Sequence, residues 1–324
     1  VLGRLTRMLG NYIMLVALAA LPRLGLAKVA SEKLSEPTPE SSLETAIKEI
    51  SGIAVVDDKI VLLPEGKAMF LSLNWQKNGK NREGVFGPIE HQVRRPLPAG
   101  IGESDLVGAD LVGTRWLILD GTEFSIREVA TADSSEVTKR TVAWDLIKPP
   151  ADRGGEPTRV ETAALRAQFR KNWMRSPGRK ITGWAKREGS GKKNDGSTYL
   201  LATKIPGYPV LEMRCGAGDE SSSCILTRRC FVEGADDLKP AAMAGIGYST
   251  KTKLVYLGDS AQRKIHVLRY DSCFHIVKVG ELKLSDKLKQ LSNVYVDAGD
   301  RLWLTTRAPD DYLNGSVYYW QLKP

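Results

Sequence analysis

The sequence has little of what a recognisable catalytic centre is built from. Its three histidines, His91, His266 and His275, form neither an HExxH helix nor a zinc-ligand pattern with cysteine. No GxSxG nucleophile turn occurs. GSGKK at 189–193 lacks the glycine that a phosphate loop needs five residues before Gly191, where Lys186 stands. Beyond residue 27 there is no run of about 18 apolar residues, so no transmembrane helix is expected. With 42% hydrophobic and 26% charged residues, the chain is not depleted enough in apolar side chains to remain disordered. No cofactor or metal is expected, and the balance leans away from an enzyme.

What is present begins with a leader. Arg4 and Arg7 precede an apolar stretch from Tyr12 to Leu21, and Gly25-Leu26-Ala27 offers small residues for cleavage. Residues 1–27 therefore read as a secretory signal peptide, with Lys28 the mature N-terminus. Export places the chain in an extracytoplasmic compartment, periplasmic or secreted, where thiols pair. The four cysteines, Cys215, Cys224, Cys230 and Cys273, allow three connectivities. A bond from Cys215 to Cys224 closes the hairpin around GAGDESSS and leaves Cys230 for Cys273. Residues 28–45, rich in Ser, Glu and Pro, read as a flexible leader, with a short helix near Leu43 to Ile50 opening the domain at 46–324.

Within that domain one pattern recurs: an alternating apolar strand, a polar turn and a second strand. IVLLPEGKAMFLSL starts at Ile60, RWLILDGTEFSIREV at Arg115, TYLLATKIPGYPVLEM at Thr198, KLVYLGDSAQRKIHVLRY at Lys253 and RLWLTTRAPDDYLNGSVYYWQL at Arg301. Several copies follow a further short strand ending in an acidic or glycine turn, such as MAGIGYSTKTK and SNVYVDAGD. The starts lie 55, 83, 55 and 48 residues apart. Repeated sheet units of about 40 to 50 residues are the signature of a propeller, so an all-β propeller of about six blades is predicted, within a range of five to seven. Ring closure predicts that Val317 to Leu322 pairs with the N-terminal end near Ile53 to Val56.

MAGIGYSTKTKLVYLGDSAQRKIHVLRY followed by LSNVYVDAGDRLWLTTRAP, in residues 242–323, resembles the blade pattern of the NHL, SMP-30 and yellow-like six-bladed propellers. The resemblance implies the fold, and through the lactonase members of the class it raises an alternative, a metal-dependent hydrolase with its site in the central channel. No Asn-His-Leu motif or acidic ligand set is found to carry that activity over. Asp297 and Trp303 read as turn hydrogen bonding and blade packing. The acidic pairs at 57–58, 236–237 and 310–311 read as turns.

Residues 159–193 form a basic insertion. They hold eleven basic residues against Glu161 and Glu188, a local charge of +9 equal to that of the whole chain. Without Arg4, Arg7 and Arg23 the mature chain is +6, so the rest sums to about -3. ETAALRAQFRKNWM reads as a short helix with Leu165, Phe169 and Trp173 on one face, and RSPGRKITGWAKREGSGKK reads as a loop. Arg166, Arg170, Lys171, Arg175, Arg179, Lys180, Lys186 and Arg187 are the residues expected to contact an anionic partner: a protein, a lipid head group, a glycan or a cell-wall polymer. Phe169, Trp173 and Trp184 among these cations could stack on single-stranded bases. Export disfavours nucleic acid. The expected role is binding or scaffolding.

Overall fold

A computed structural model describes residues 32–33, 42–44, 47, 49–56, 59–64, 69–77, 84–86, 93–97, 106–121, 123–133, 135–143, 171, 181–187, 196–205, 208–216, 224–230, 232–234, 237–273, 275–286, 288, 290–307 and 315–322. Two short strands come first, β1 (Glu32–Lys33) and β2 (Ser42–Glu44). Blade 1 holds β3 (Ile50–Val56), β4 (Lys59–Pro64) and β5 (Met69–Lys77), with β6 (Gly84–Phe86) and β7 (Val93–Pro96) sharing the outer edge of β5. Blade 2 holds β8 (Leu106–Val112), β9 (Arg115–Asp120), β10 (Ser125–Ala130) and β11 (Glu136–Ala143). Blade 3 holds β12 (Ile181–Arg187), β13 (Ser197–Thr203), β14 (Val210–Cys215) and β15 (Cys224–Cys230), followed by β16 (Val232–Glu233). Blade 4 holds β17 (Met243–Tyr248), β18 (Leu254–Asp259), β19 (Lys264–Ser272) and β20 (His275–Lys283). Blade 5 holds β21 (Gln290–Val296), β22 (Arg301–Arg307) and β23 (Ser316–Gln321).

These strands make four hydrogen-bonded sheets but five antiparallel meanders. The eight-stranded sheet is blades 2 and 3 joined at their outer strands, where β11 and β15 run parallel through Val142↔Cys224 and Ala143↔Ile225. The inner strands β3, β8, β12, β17 and β21 each lie beside the next, and β21 lies beside β3, so the ring is closed. The fold is a β-propeller, and the described residues give it five blades, the lower bound of the expected range of five to seven. The five strand-turn-strand segments read from the sequence are its five middle hairpins, from β4–β5 to β22–β23.

Burial explains why the ring must close. Alternate residues of each blade face opposite neighbours, and they gather into five apolar clusters, one per seam. Ala54, Leu63, Ala109 and Ile118 fill the seam of blades 1 and 2; Ile126, Trp184, Tyr199 and Leu211 fill that of 2 and 3. Ile246, Leu257, Leu268 and Val210 lie between 3 and 4; Ile265, Val294, Leu304 and Trp320 lie between 4 and 5. Ile53, Ile60, Trp303 and Val317 complete the circuit between 5 and 1. An isolated blade would leave both faces wet, and each large apolar side chain so exposed forgoes about 1.5–3 kcal/mol.

Closure is made by β2, whose Leu43 pairs antiparallel with Val317 as the fourth strand of blade 5. The expected partner, near Ile53 to Val56, is instead the inner strand of blade 1. Of the expected helix at 43–50, the described residues 43, 44 and 50 lie in strands instead. Ladder bonds from β23 draw residues 42–44 into a strand, and β1 runs parallel to β20 through Glu32↔Leu282. The rest of the proposed signal and leader lies outside the described residues. Among the described residues no helix is long and apolar enough to cross a membrane.

Two disulfides fasten blade 3. Cys215–Cys224 links register partners of β14 and β15, and Cys230–Cys273 ties blade 3 to blade 4 across 43 residues of chain. In the chain-entropy account such a loop is worth about 4 kcal/mol. The paired cysteines are consistent with an extracytoplasmic protein.

Leu43→Pro removes a ladder donor at the closure and is expected to cost roughly 1–3 kcal/mol. Because the ring is one cooperative unit, the whole thermal transition should move down by a few degrees while staying single. An unchanged melt, or a separate early step, would show that β2 does not close the ring.

Candidate functional site

The five inner strands share a local design that also defines the axis. Each carries a bulge at the same place: Ile50-Ser51-Gly52-Ile53, Leu106-Val107-Gly108-Ala109, Ile181-Thr182-Gly183-Trp184, Met243-Ala244-Gly245-Ile246 and Leu291-Ser292-Asn293-Val294. A bulge adds a residue and twists the strand. Here it lets five backbones converge. A Cβ on Gly183 would lie 2.7 Å from Gly245 Cα, and one on Gly52 would lie 3.1 Å from Gly108 Cα. β12 even approaches β3 and β21 across the ring. Side chains complete the closure: Asn293 Nδ2 donates to the carbonyls of Ser51 and Val107, Ser292 Oγ to that of Ile50, and Ser51 Oγ to that of Leu106.

Of the expected anion-binding residues, Lys171 is helical and exposed, while Lys186 and Arg187 end β12. The loop reading of 181–187 is thereby corrected. Trp184 in this stretch is buried, stacked on Tyr199 with ring centroids 4.4 Å apart. The two cations carry internal partners that sequence spacing could not show. Lys186 Nζ lies 2.9 Å from Asp110 of blade 2, which also accepts the Tyr199 hydroxyl at 3.1 Å. Arg187 lies 3.6 Å from Glu212 and donates to the Tyr270 hydroxyl at 2.8 Å; that hydroxyl in turn donates to Glu212 at 2.9 Å. Both cations, at the C-terminal end of this strand, are therefore built into seams. Arg166, Arg170, Arg175, Arg179 and Lys180 lie outside the described residues.

Asp297 behaves as a turn residue. Its carboxylate accepts the backbone N–H groups of Gly299 and Arg301, Arg301 Nε at 2.6 Å and Trp303 Nε1 at 2.8 Å. That leaves it no free face for chemistry.

A second polar group, on the outer part of blade 4, was not foreseen. Asp237, in the turn before β17, accepts Lys264 Nζ at 2.6 Å and Lys278 Nζ at 2.8 Å. Glu281 lies 3.0 Å from Lys264 Nζ and 3.5 Å from Lys278 Nζ. His266, register partner of Glu281, is fully buried, and neither ring nitrogen has a hydrogen-bond partner. Donor atoms of Asp237, His266 and Glu281 lie within 4.8 Å of one another. Burial pushes Asp237 up, but the hydrogen bonds from Lys264 and Lys278 outweigh it and hold the carboxyl low. Burial, then the two lysine charges, push His266 down, so its imidazole is neutral at pH 7. In sequence His266 is one residue within an alternating strand, and only cross-strand register plus a distant turn brings the acids to it.

No family model matches the chain, and no curated protein matches it. Among solved structures, the β-propeller domain of Cps50 (Swd1) from Myceliophteria thermophila aligns with a TM-score of 0.39 at 9% identity, over 82% of this chain and 66% of that one. A Bacteroides uniformis protein provisionally assigned as a 6-phosphogluconolactonase gives 0.40 at 10%, over 87% and 70%. A Desulfotomaculum acetoxidans protein of unknown function gives 0.40 at 9%, over 82% and 64%. The chain thus spans about two thirds of the length of these proteins. At such scores the likenesses carry no argument about activity, and the fold rests on the chain's own strand pairing.

The seam tyrosines supply a pH signature. Burial, and then a neighbouring carboxylate, raises the phenols of Tyr199, Tyr256, Tyr270 and Tyr295, with Tyr256 pushed up to about 12. A phenol raised in the folded state favours folding below its ordinary value near 10, and that stability is lost as pH climbs from 10 through 12. Alkaline titration followed at 295 nm and by circular dichroism should show these phenols ionising together with unfolding. Full tyrosine ionisation near pH 10 with the fold intact would contradict the packing of the seams.

Proposed function

We propose that the chain is an exported binding or scaffolding propeller whose basic insertion, residues 159–193, meets an anionic partner or surface. The observation that carries this reading is the concentration of charge: eleven basic and two acidic residues in 35 positions, on a remainder that is slightly acidic. A field so localised accelerates and orients encounter with an anionic surface. The pairing of Lys186 with Asp110 and of Arg187 with Glu212 supports a division of labour. These two anchor the end of the insertion to blades 2, 3 and 4, and the contacting charges are those before them, Arg166, Arg170, Lys171, Arg175, Arg179 and Lys180. The likeness of residues 242–323 to NHL, SMP-30 and yellow-like blades is confined to blades 4 and 5 and supports architecture rather than chemistry.

The rival, a lactonase-like hydrolase with a metal in the central channel, needs polar side chains from separate blades converging on open space. At the level of the bulges the inner strands pack on one another, with neighbouring backbone facing Gly52, Gly183 and Gly245, the Trp184 indole facing Gly108 and the Asn293 amide reaching the carbonyls of Ser51 and Val107, which favours a role for the outer surface.

The test replaces Arg175, Arg179 and Lys180 together with Ser and measures retention on vesicles of anionic lipid and on anionic cell-wall polymer. Exposed charges are screened over about 8 Å at physiological salt, so the parent should bind at low salt and lose at least about tenfold at 300 mM. The triple variant should bind at least tenfold more weakly at low salt with its melting temperature unchanged. Arg187→Ser should instead lower stability, because it leaves Glu212 and Tyr270 without their shared cation. Equal retention of parent and triple variant on both surfaces would refute the role of the insertion.

A further inference from the structure

We propose that Asp237, His266 and Glu281 on blade 4 form a binding site for one divalent transition-metal cation of the borderline class, such as Zn²⁺ or Co²⁺. The site lies on the outer strands β19 and β20 of blade 4, away from the inner strands that line the axis. Two observations carry it independently. The first is the donor set: one imidazole and two carboxylates, contributed by β19, β20 and the turn before β17, with donor atoms within 4.8 Å of one another. The second is His266 itself, which is 0% exposed with both ring nitrogens lacking a hydrogen-bond partner. Buried polar atoms in native proteins are overwhelmingly satisfied, and an imidazole left without a partner beside two carboxylates is placed as a ligand would be.

The lysines do not forbid the ion; they define what it exchanges with. Lys264 and Lys278 bring two positive charges to the two carboxylates, at 2.6 to 3.5 Å. One divalent cation carries the same charge, so replacing both ammonium groups leaves the local balance unchanged. It adds a bond to nitrogen that the ammonium groups do not make in this structure. Lysine stems are long and flexible, and freed ammonium groups regain hydration when they turn outward. Asp237, with 41% of its side chain exposed, lies on the entry side. Bond lengths of about 2.0–2.2 Å to N and O put ligand atoms roughly 3.4 Å apart, so the donors must close by up to about 1.5 Å, within the reach of side-chain rotation. Asp259 Oδ2, 3.6 Å from His266 Nε2, is placed to orient the ring as carboxylates do for metal-bound histidine. Imidazole in the set selects borderline cations over Ca²⁺ and Mg²⁺, which favour all-oxygen sites.

The experiment takes the full disulfide-intact chain, stripped with chelator, and titrates it with Zn²⁺ alone by calorimetry and with Co²⁺ alone by visible absorption, with Ca²⁺ as the hard-cation comparison. The expected result is one equivalent of Zn²⁺ and of Co²⁺, a visible Co²⁺ band, and binding of Ca²⁺ at least tenfold weaker. Asp237→Asn, at an exposed turn where folding is not at risk, should weaken Zn²⁺ at least tenfold. Lys278→Met removes a competing ammonium and should tighten it by about tenfold. His266→Gln should abolish the Co²⁺ band, and circular dichroism reports whether that buried variant folds. The proposal is overturned if the folded parent shows no saturable binding, if Ca²⁺ binds as well as Zn²⁺, or if Asp237→Asn binds like the parent. An ion-pair network serving stability alone would give Lys278→Met a lower melting temperature and no gain in metal affinity.

Discussion

The structure depends on the convergence of five inner strands on one axis. A propeller blade has two apolar faces, and only neighbours on both sides bury them, so the ring stands or falls as a whole. Convergence is possible because each inner strand presents glycine, or in blade 5 asparagine, at the bulge where the backbones meet. Asparagine takes the fifth place by turning its amide to good use: Nδ2 donates to carbonyls of blades 1 and 2 while Oδ1 accepts the N–H of Val294. A closed axis then follows at this level.

Around that centre the seams are joined by polar links as well as by apolar packing. Ser249 Oγ donates to Asp300 at 2.6 Å between blades 4 and 5, and Arg307 pairs with Glu49 at 3.1 Å between blades 5 and 1. The rim is laced by chain rather than by side chains: β16 leaves blade 3 to run parallel to β20 of blade 4 through Val232↔Ile276, next to the Cys230–Cys273 bond. Such additions cover outer edges that would otherwise offer unpaired N–H and C=O groups to other chains. The proposed metal site lies on the same blade 4, where the turn at Asp237 crosses the outer strands.

Much of this was legible in the residues. The five repeats stand out because their second and third strands are alternating and joined by short turns, and the cysteine pairs follow from a hairpin with a thiol at each end. The count of blades was harder to read. Blade 3 begins inside the basic run, where KITGWAKRE looks like a loop because Lys186 and Arg187 suggest solvent; their acids, Asp110 and Glu212, are 76 and 25 residues away in sequence. The bulge motif is written in the sequence five times, but its spacing is irregular and its residues are small, so it announces itself only once the strands are superposed in space. The expected helix near Leu43 gives way to a strand at 42–44 because that strand is dictated by a partner near residue 317, which no local pattern shows. The cluster at His266 depends on register across β19 and β20 and on a loop from elsewhere, which no local pattern encodes.

The claim that the inner strands touch at the glycine level is tested most directly by Gly183→Ala. The added Cβ meets backbone, Gly245 Cα at 2.7 Å and Ile246 N at 3.0 Å, and backbone at the axis of a closed ring has nowhere to move. Urea unfolding should show a single transition shifted to lower midpoint, with a loss of roughly 1–3 kcal/mol or more, the range for overpacking a filled interior. An unchanged midpoint would mean that the axis holds room for a side chain, and the sealed centre would then be wrong.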